Sequence, residues 1–125
     1  MKIQVSTANT LQLDWLVAKC EGGTNLIREV IGEHFFWVYT TPKDHDFPES
    51  LQYLVNTEYS TDPSLAVTIM EREKITSGYI DCFKEWECRI QGGYRAVGPT
   101  LLIAAMRCWG VSQLGHEVEI PEELR

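Results

Sequence analysis

Gly98-Pro99-Thr100-Leu101-Leu102-Ile103-Ala104-Ala105-Met106-Arg107-Cys108-Trp109-Gly110-Val111-Ser112-Gln113-Leu114-Gly115 is the stretch whose reading decides the fold. Its apolar residues fall on almost every side of a helix, so a helix here must be packed on more than one face and lie at the centre of the molecule. The expected span is about 99–114, with Pro99 in the first helical position and Gly115 as the stop. A membrane span is the competing reading. The apolar stretch falls short of roughly 18 residues and carries Arg107 in its middle, which favours a buried core helix.

Working outward, the tail alternates Val118 and Ile120 against Glu117 and Glu119 and reads as an edge strand closed by Pro121. Upstream, Tyr79 to Phe83 and Trp86 to Ile90 read as a hairpin across Lys84-Glu85. Asp62 caps a helix that has Pro63 at its first position and runs to about Lys74. Leu51 to Val55 is a short apolar run of either type. Residues 41–50, with Pro42, Asp44, Asp46 and Pro48, carry loop chemistry. Leu26 to Tyr39 fits two strands joined across Gly32-Glu33. At the start, residues 2–6 alternate like a strand. Asn9 and Gln12 form a capping box for a helix with its buried stripe on Leu13, Leu16, Val17 and Cys20, stopped by Gly22-Gly23. The fold class this predicts is α+β: one domain over 1–125, with a small, mostly antiparallel sheet packed on two or three helices.

A chain of 125 residues, 44% hydrophobic and 23% charged, suits one core and is too apolar for disorder. Against 18 acidic residues stand 11 basic ones, a formal net charge of −7. That excess repels a polyanion. Lys43, Lys74, Lys84, Arg89 and Arg95 are scattered singly, so nucleic acid is not an expected partner. Residues 1–6 lack the charged and then apolar pattern of a secretory signal, so export is not expected. Cys20, Cys82, Cys88 and Cys108 have no metal-ligand spacing and are expected to be free, reduced and mostly buried. His34, His45 and His116 follow no zinc pattern, so no metal and no cofactor is expected.

Chemistry gathers at a few positions. Arg107 has small or apolar neighbours three and four residues away, so its charge is expected to pair with Glu71, Glu73 or Glu119. Gly98 and Thr100 open the central helix, where free N–H groups suit an anion. Tyr94 and Arg95 add an aromatic face and a cation just before it. Ordinary capping is the plainer account of that motif. Within Glu71-Arg72-Glu73-Lys74 adjacent residues do not share a helix face, so Glu71 and Glu73 are not a paired acid and base. No serine lies in a nucleophile elbow and no cysteine has an activating neighbourhood, so nothing positive indicates an enzyme. Phe35, Phe36, Trp37 and Tyr39 alternate across a strand, and one of their faces is a candidate dimer contact.

Three segments together resemble the NinX-like family of small phage and prophage proteins. They are Leu13-Asp14-Trp15 through Val17-Ala18-Lys19 with Glu21-Gly22; Tyr59-Ser60-Thr61-Asp62 to Ile69-Met70-Glu71-Arg72-Glu73-Lys74-Ile75; and Gly98-Pro99-Thr100 through Leu102-Ile103-Ala104-Ala105-Met106-Arg107-Cys108, Leu114-Gly115 and Glu117-Val118-Glu119-Ile120-Pro121. The chain departs from the family in showing Pro63-Ser64-Leu65-Ala66-Val67-Thr68 where a tryptophan and a Gly-Gly-Pro stretch are expected. The resemblance implies a phage or prophage origin and action in the cytoplasm of a bacterial host.

The functional expectation is a phage accessory protein that works by binding a host or phage protein without catalysis. One alternative is a binder of an anionic, nucleotide-like small molecule at Tyr94, Arg95, Gly98 and Thr100. Another is an acidic DNA mimic built on Glu117, Glu119, Glu122 and Glu123.

Overall fold

The computed structural model describes residues 1–21, 27–31, 34–40, 52–55, 58–120 and 122–124; for 27–31, 34–40, 52–55 and 123 the description is of the backbone alone. The elements run β1 (Lys2–Gln4), a 3₁₀ turn (Val5–Thr7), α1 (Thr10–Cys20), β2 (Ile27–Ile31), β3 (His34–Thr40), β4 (Gln52–Val55), α2 (Pro63–Glu73), β5 (Thr76–Ile80), β6 (Glu85–Ile90), β7 (Tyr94–Gly98), α3 (Leu101–Leu114), β8 (Glu117–Glu119) and a last 3₁₀ turn (Glu122–Leu124). The fold is α+β, and every strand pairing among the described residues is antiparallel. Among the described residues the strands fall into three sheets, ordered β1-β8, β2-β3-β4 and β5-β6-β7.

The central helix is α3. Ala104, Ala105, Met106, Cys108, Trp109, Gly110 and Val111 are buried on it, and it touches β6, β7, α1, α2 and the first 3₁₀ turn. Its start differs from the expected one. Thr100, extended at φ −126° and ψ 160°, is the N-cap, and its Oγ1 accepts from Ile103 N at 3.2 Å. Pro99 therefore lies outside the helix, because a hydroxyl that satisfies a first-turn N–H outcompetes the proline rule here.

The capping box forms on α1 as expected. Gln12 N donates to Asn9 Oδ1 at 2.9 Å, and Asn9 N donates to Gln12 Oε1 at 3.1 Å. Leu13, Leu16 and Val17 are buried, and Cys20 is half-buried. Strand β1 is shorter than expected because Val5 leaves it for the 3₁₀ turn, with Ala8 N donating to Val5 O at 3.2 Å. This puts Val5, fully buried, against Gly110 of α3, where an added Cβ would come within 2.9 Å of Val5 Cγ1. The chain ends meet through β1 and β8, and the amino terminus donates to Glu119 Oε1 at 2.9 Å.

Sheet β5-β6-β7 covers α3 with one face. Cys88, Ile90 and Ala96 turn inward and are buried, while Arg89 and Arg95 face solvent, the alternation of a half-covered sheet. The β5–β6 hairpin forms, but its turn spans residues 81–84 and not Lys84-Glu85, with Lys84 left-handed at φ 54°. Cys82 is consequently exposed on the turn, a correction to the expectation of mostly buried thiols; all four cysteines are free. Strand β7 forms over residues that carry no apolar alternation predicting a strand. Strands β2 and β3 pair as expected with Ile31 opposite His34, and the ambiguous run after Leu51 becomes β4. The Gly22-Gly23 stop, the Gly32-Glu33 turn, the loop over 41–50, the Pro121 closure and the aromatic faces of 35–39 lie outside the described residues or side chains.

Candidate functional site

A cleft of about 490 Å³ opens between the starts of α2 and α3. On the α2 side, Glu58 O accepts from Thr61 N at 3.1 Å and Asp62 N at 2.7 Å, closing a tight turn. Asp62 then caps the helix, its Oδ1 accepting from Ser64 N at 3.0 Å and Ser64 Oγ at 2.7 Å. On the α3 side, Gly98 brings β7 so close to the helix that an added Cβ would lie 2.8 Å from Ala104 N. The helix start is thereby pinned to the sheet. Pro63, Val67, Leu101, Leu102 and Ile103 give the cleft an apolar lining, and its polar groups are confined to Ser60, Thr61 and Thr100.

Ser60 is the most enclosed of these, 2% exposed. Asp14 Oδ1, from the middle of α1, accepts from Ser60 N at 2.9 Å and from Ser60 Oγ at 2.7 Å, which ties the lip of the cleft to the core. Burial pushes the Asp14 carboxyl up to about 6, with the two hydrogen bonds from Ser60 pulling the other way. Nearby, Arg72 forks onto Glu21, Nη1 to Oε2 at 2.8 Å and Nη2 to Oε1 at 2.6 Å. Its Nε reaches Glu73 Oε2 at 2.6 Å. Those bonds, Glu21 first, hold the guanidinium pKa above its ordinary value. Arg72 also lies over the Trp109 ring, 5.4 Å from its centroid. Burial, and then the charges of Glu21 and Asp14, raise the Tyr59 phenol.

The sequence-derived site residues are dispersed. Thr100 alone of Tyr94, Arg95, Gly98 and Thr100 lines the cleft. Tyr94 lies four residues before Gly98 on an extended strand, roughly 13 Å away. Arg95 lies on the solvent face of the sheet, away from the cleft, with its Nε 2.9 Å from Glu87 Oε2. Gly98 is packed so tightly that it leaves no room for a ligand.

The expected ion pair of Arg107 with Glu71 or Glu73 is not formed. Arg107 donates from Nε and Nη2 to Ala8 O, at 3.2 and 2.9 Å, and from Nη1 to Val97 O at 3.0 Å. Backbone carbonyls stranded where the first 3₁₀ turn and β7 meet α3 serve the guanidinium in place of a carboxylate. Glu73 is taken by Arg72, Glu119 by the amino terminus, and Glu71 is exposed. Burial lowers the Arg107 pKa, countered by Glu85. Among the described residues, no group of three or more His, Cys, Asp or Glu could hold a metal ion.

Asp14, Ser60 and Arg72 were missed as partners, although a signal existed. Each lies in a segment that carried the family resemblance, and the structure joins the first segment to the second at Asp14–Ser60 and Glu21–Arg72. The second meets the third across the cleft at Ser60, Thr61 and Thr100.

The architecture and its cleft define a small α+β protein built around one buried helix. The chain belongs to the family described as Bacteriophage P22, NinX, whose model matches residues 4–113. It is therefore a phage accessory protein. A search of curated proteins found no match. Among the described residues, no helix is long and apolar enough to cross a membrane.

Proposed function

We propose that this phage accessory protein is a non-enzymatic binding module that docks a host or phage protein in the host cytoplasm through one apolar end. The observation that carries the reading is the gathering of exposed apolar groups there. Val67, 42% exposed, lines the cleft. In the β5-β6-β7 register Tyr79, Trp86 and Gly98 form one row, which places the β5–β6 turn at the same end as the start of α3. Tyr79 is 49% exposed on that row, and Phe83 on the turn is 71% exposed. The Tyr79 and Trp86 rings pack at 5.3 Å and stiffen the platform. Three of the four large apolar side chains exposed among the described residues thus share one end. Aromatic anchors beside an apolar cleft are the usual energetic centre of a protein interface.

The DNA-mimic alternative is weaker, because Glu119 is neutralised by the amino terminus and Glu117 lies 3.8 Å from Lys2. The test is capture from phage-infected cells by the wild type and by Phe83→Ser and Val67→Asp. A protein retained by the wild type and lost from both folded variants supports the reading. Equal recovery on all three overturns it. Sedimentation of the same samples shows whether the partner is a second copy.

A further inference from the structure

The opposite end of the β5-β6-β7 sheet carries a different chemistry on its solvent face. Arg89 and Arg95 stand directly opposite each other in the β6–β7 register, so their side chains leave the same face side by side. Like charges so placed repel unless something negative lies between them. Glu87, two residues before Arg89 and so on the same face, provides it. Its Oε1 is 2.6 Å from Arg89 Nε and its Oε2 is 2.9 Å from Arg95 Nε. One carboxylate between two guanidiniums leaves a positive charge over. The closest approach of each guanidinium to Glu87 is through Nε, and the two arginine side chains are 67% and 56% exposed. Glu87 thus bridges the two arginines.

The surroundings are concave. A groove of about 400 Å³ on one flank of Arg89 is lined by Lys74, Thr76, Ile90 and Gln91. A second depression of about 210 Å³ shares Thr76 and Arg89 with it and continues over Ser77, Gly78 and Glu87. An added Cβ at Gly78 would meet nothing within 4 Å, so the missing side chain keeps that depression open. Lys74, held left-handed at φ 55° where α2 ends, brings a third cation. Lys74 lines the same groove as Arg89, and Arg89 and Arg95 share the single carboxylate of Glu87, in a chain whose net charge is −7.

We propose that this basic end binds a small phosphomonoester, its phosphate gripped by the Nη groups of Arg89 and Arg95 and its organic part lying in the groove beside Lys74, Thr76, Ile90 and Gln91. Paired guanidiniums match the several oxygens of a phosphate. A groove of this size suits a small molecule, and the acidic remainder of the chain repels a nucleic-acid polyanion. Of the sequence-derived residues Tyr94, Arg95, Gly98 and Thr100, the site keeps Arg95 alone and adds Arg89 and Lys74. It is independent of the apolar end, and either assignment can fail without the other.

The test is calorimetric titration of the full chain at low ionic strength with adenosine 5′-monophosphate and with inorganic phosphate. The wild type, Arg89→Gln, Arg95→Gln and a charge-matched control, Lys2→Gln, are compared, with circular dichroism confirming that each is folded. The expected result is millimolar or tighter nucleotide binding, weakened about tenfold or more in each arginine variant and unchanged in the control. Amide shifts on titration should centre on Thr76, Gly78, Arg89 and Arg95. Nucleotide binding about tenfold tighter than phosphate supports occupancy of the groove, whereas equal affinity assigns the site to free phosphate and overturns the organic part of the proposal. Absence of binding at about 10 mM, affinity indifferent to both arginines, or shifts centred on Thr100 to Ile103 overturns the site itself.

Discussion

Arg107 shows what a sequence discloses about a single residue. A lone charge in an apolar helix announces that it needs partners, and that much was legible. The partners were not, because they are the carbonyls of Ala8 and Val97, and a backbone acceptor has no residue signature. Arg107→Met is expected to cost about 2–3 kcal/mol in urea denaturation, from lost charge-assisted hydrogen bonds and two carbonyls left without their donor. A double-mutant cycle of Arg107→Met with Glu73→Gln should show coupling below about 0.5 kcal/mol; larger coupling would restore the ion pair. Asp14 makes a second residue-level prediction. Its folded pKa of about 6 exceeds the ordinary 3.8, so the folded state holds that proton more tightly than the unfolded chain. The resulting stabilisation is complete below about pH 4 and is lost as pH rises through 6, a difference on the order of 3 kcal/mol. Asp14→Asn keeps an oxygen for Ser60 N and removes the charge. Its unfolding free energy should therefore lack this decline between pH 4 and 7.5, and a parallel decline in variant and wild type would refute the assignment.

At the scale of elements, α1, α2 and α3 were readable because caps and apolar spacing are local signals. The capping box at Asn9 and the Asp62 cap both stand where the sequence placed them. Strand β7 was hidden by small residues: its inward positions are Ala96 and Gly98, which carry no hydrophobic alternation to see. A turn signal preceded it, since Gly92 and Gly93 have φ of +103° and +88°. Gly98 is small for a reason found only in three dimensions, the first turn of α3 lying across it. Gly98→Ala should cost about 1–3 kcal/mol through overpacking, although alanine is ordinarily favoured over glycine in a strand. Its effect should exceed that of Thr100→Ala, for which loss of the cap predicts about 1 kcal/mol. Thermal unfolding of the two variants checks the order.

Across the whole molecule, net acidity was legible and its distribution was not. Cross-strand register sets Arg89 beside Arg95, and puts the hairpin turn at 81–84 at the end of the sheet where α3 starts. Both arrangements depend on how α3 is enclosed, and the cysteines report on that enclosure. Cys88 and Cys108 are fully buried on the two sides of the contact between β6 and α3. Burial raises the Cys88 thiol to about 12 and the Cys108 thiol to about 11; burial and then Glu21 raise Cys20 to about 11. A thiol reagent at pH 8 therefore meets neither access nor thiolate at Cys88 and Cys108 in the folded protein. One fast thiol is expected, removed by Cys82→Ser, with Cys88 and Cys108 reacting only as the protein opens globally in denaturant. Should those two react as fast as Cys82 without denaturant, α3 is not enclosed by the sheet, and both ends of that sheet lose the scaffold that gives them their geometry.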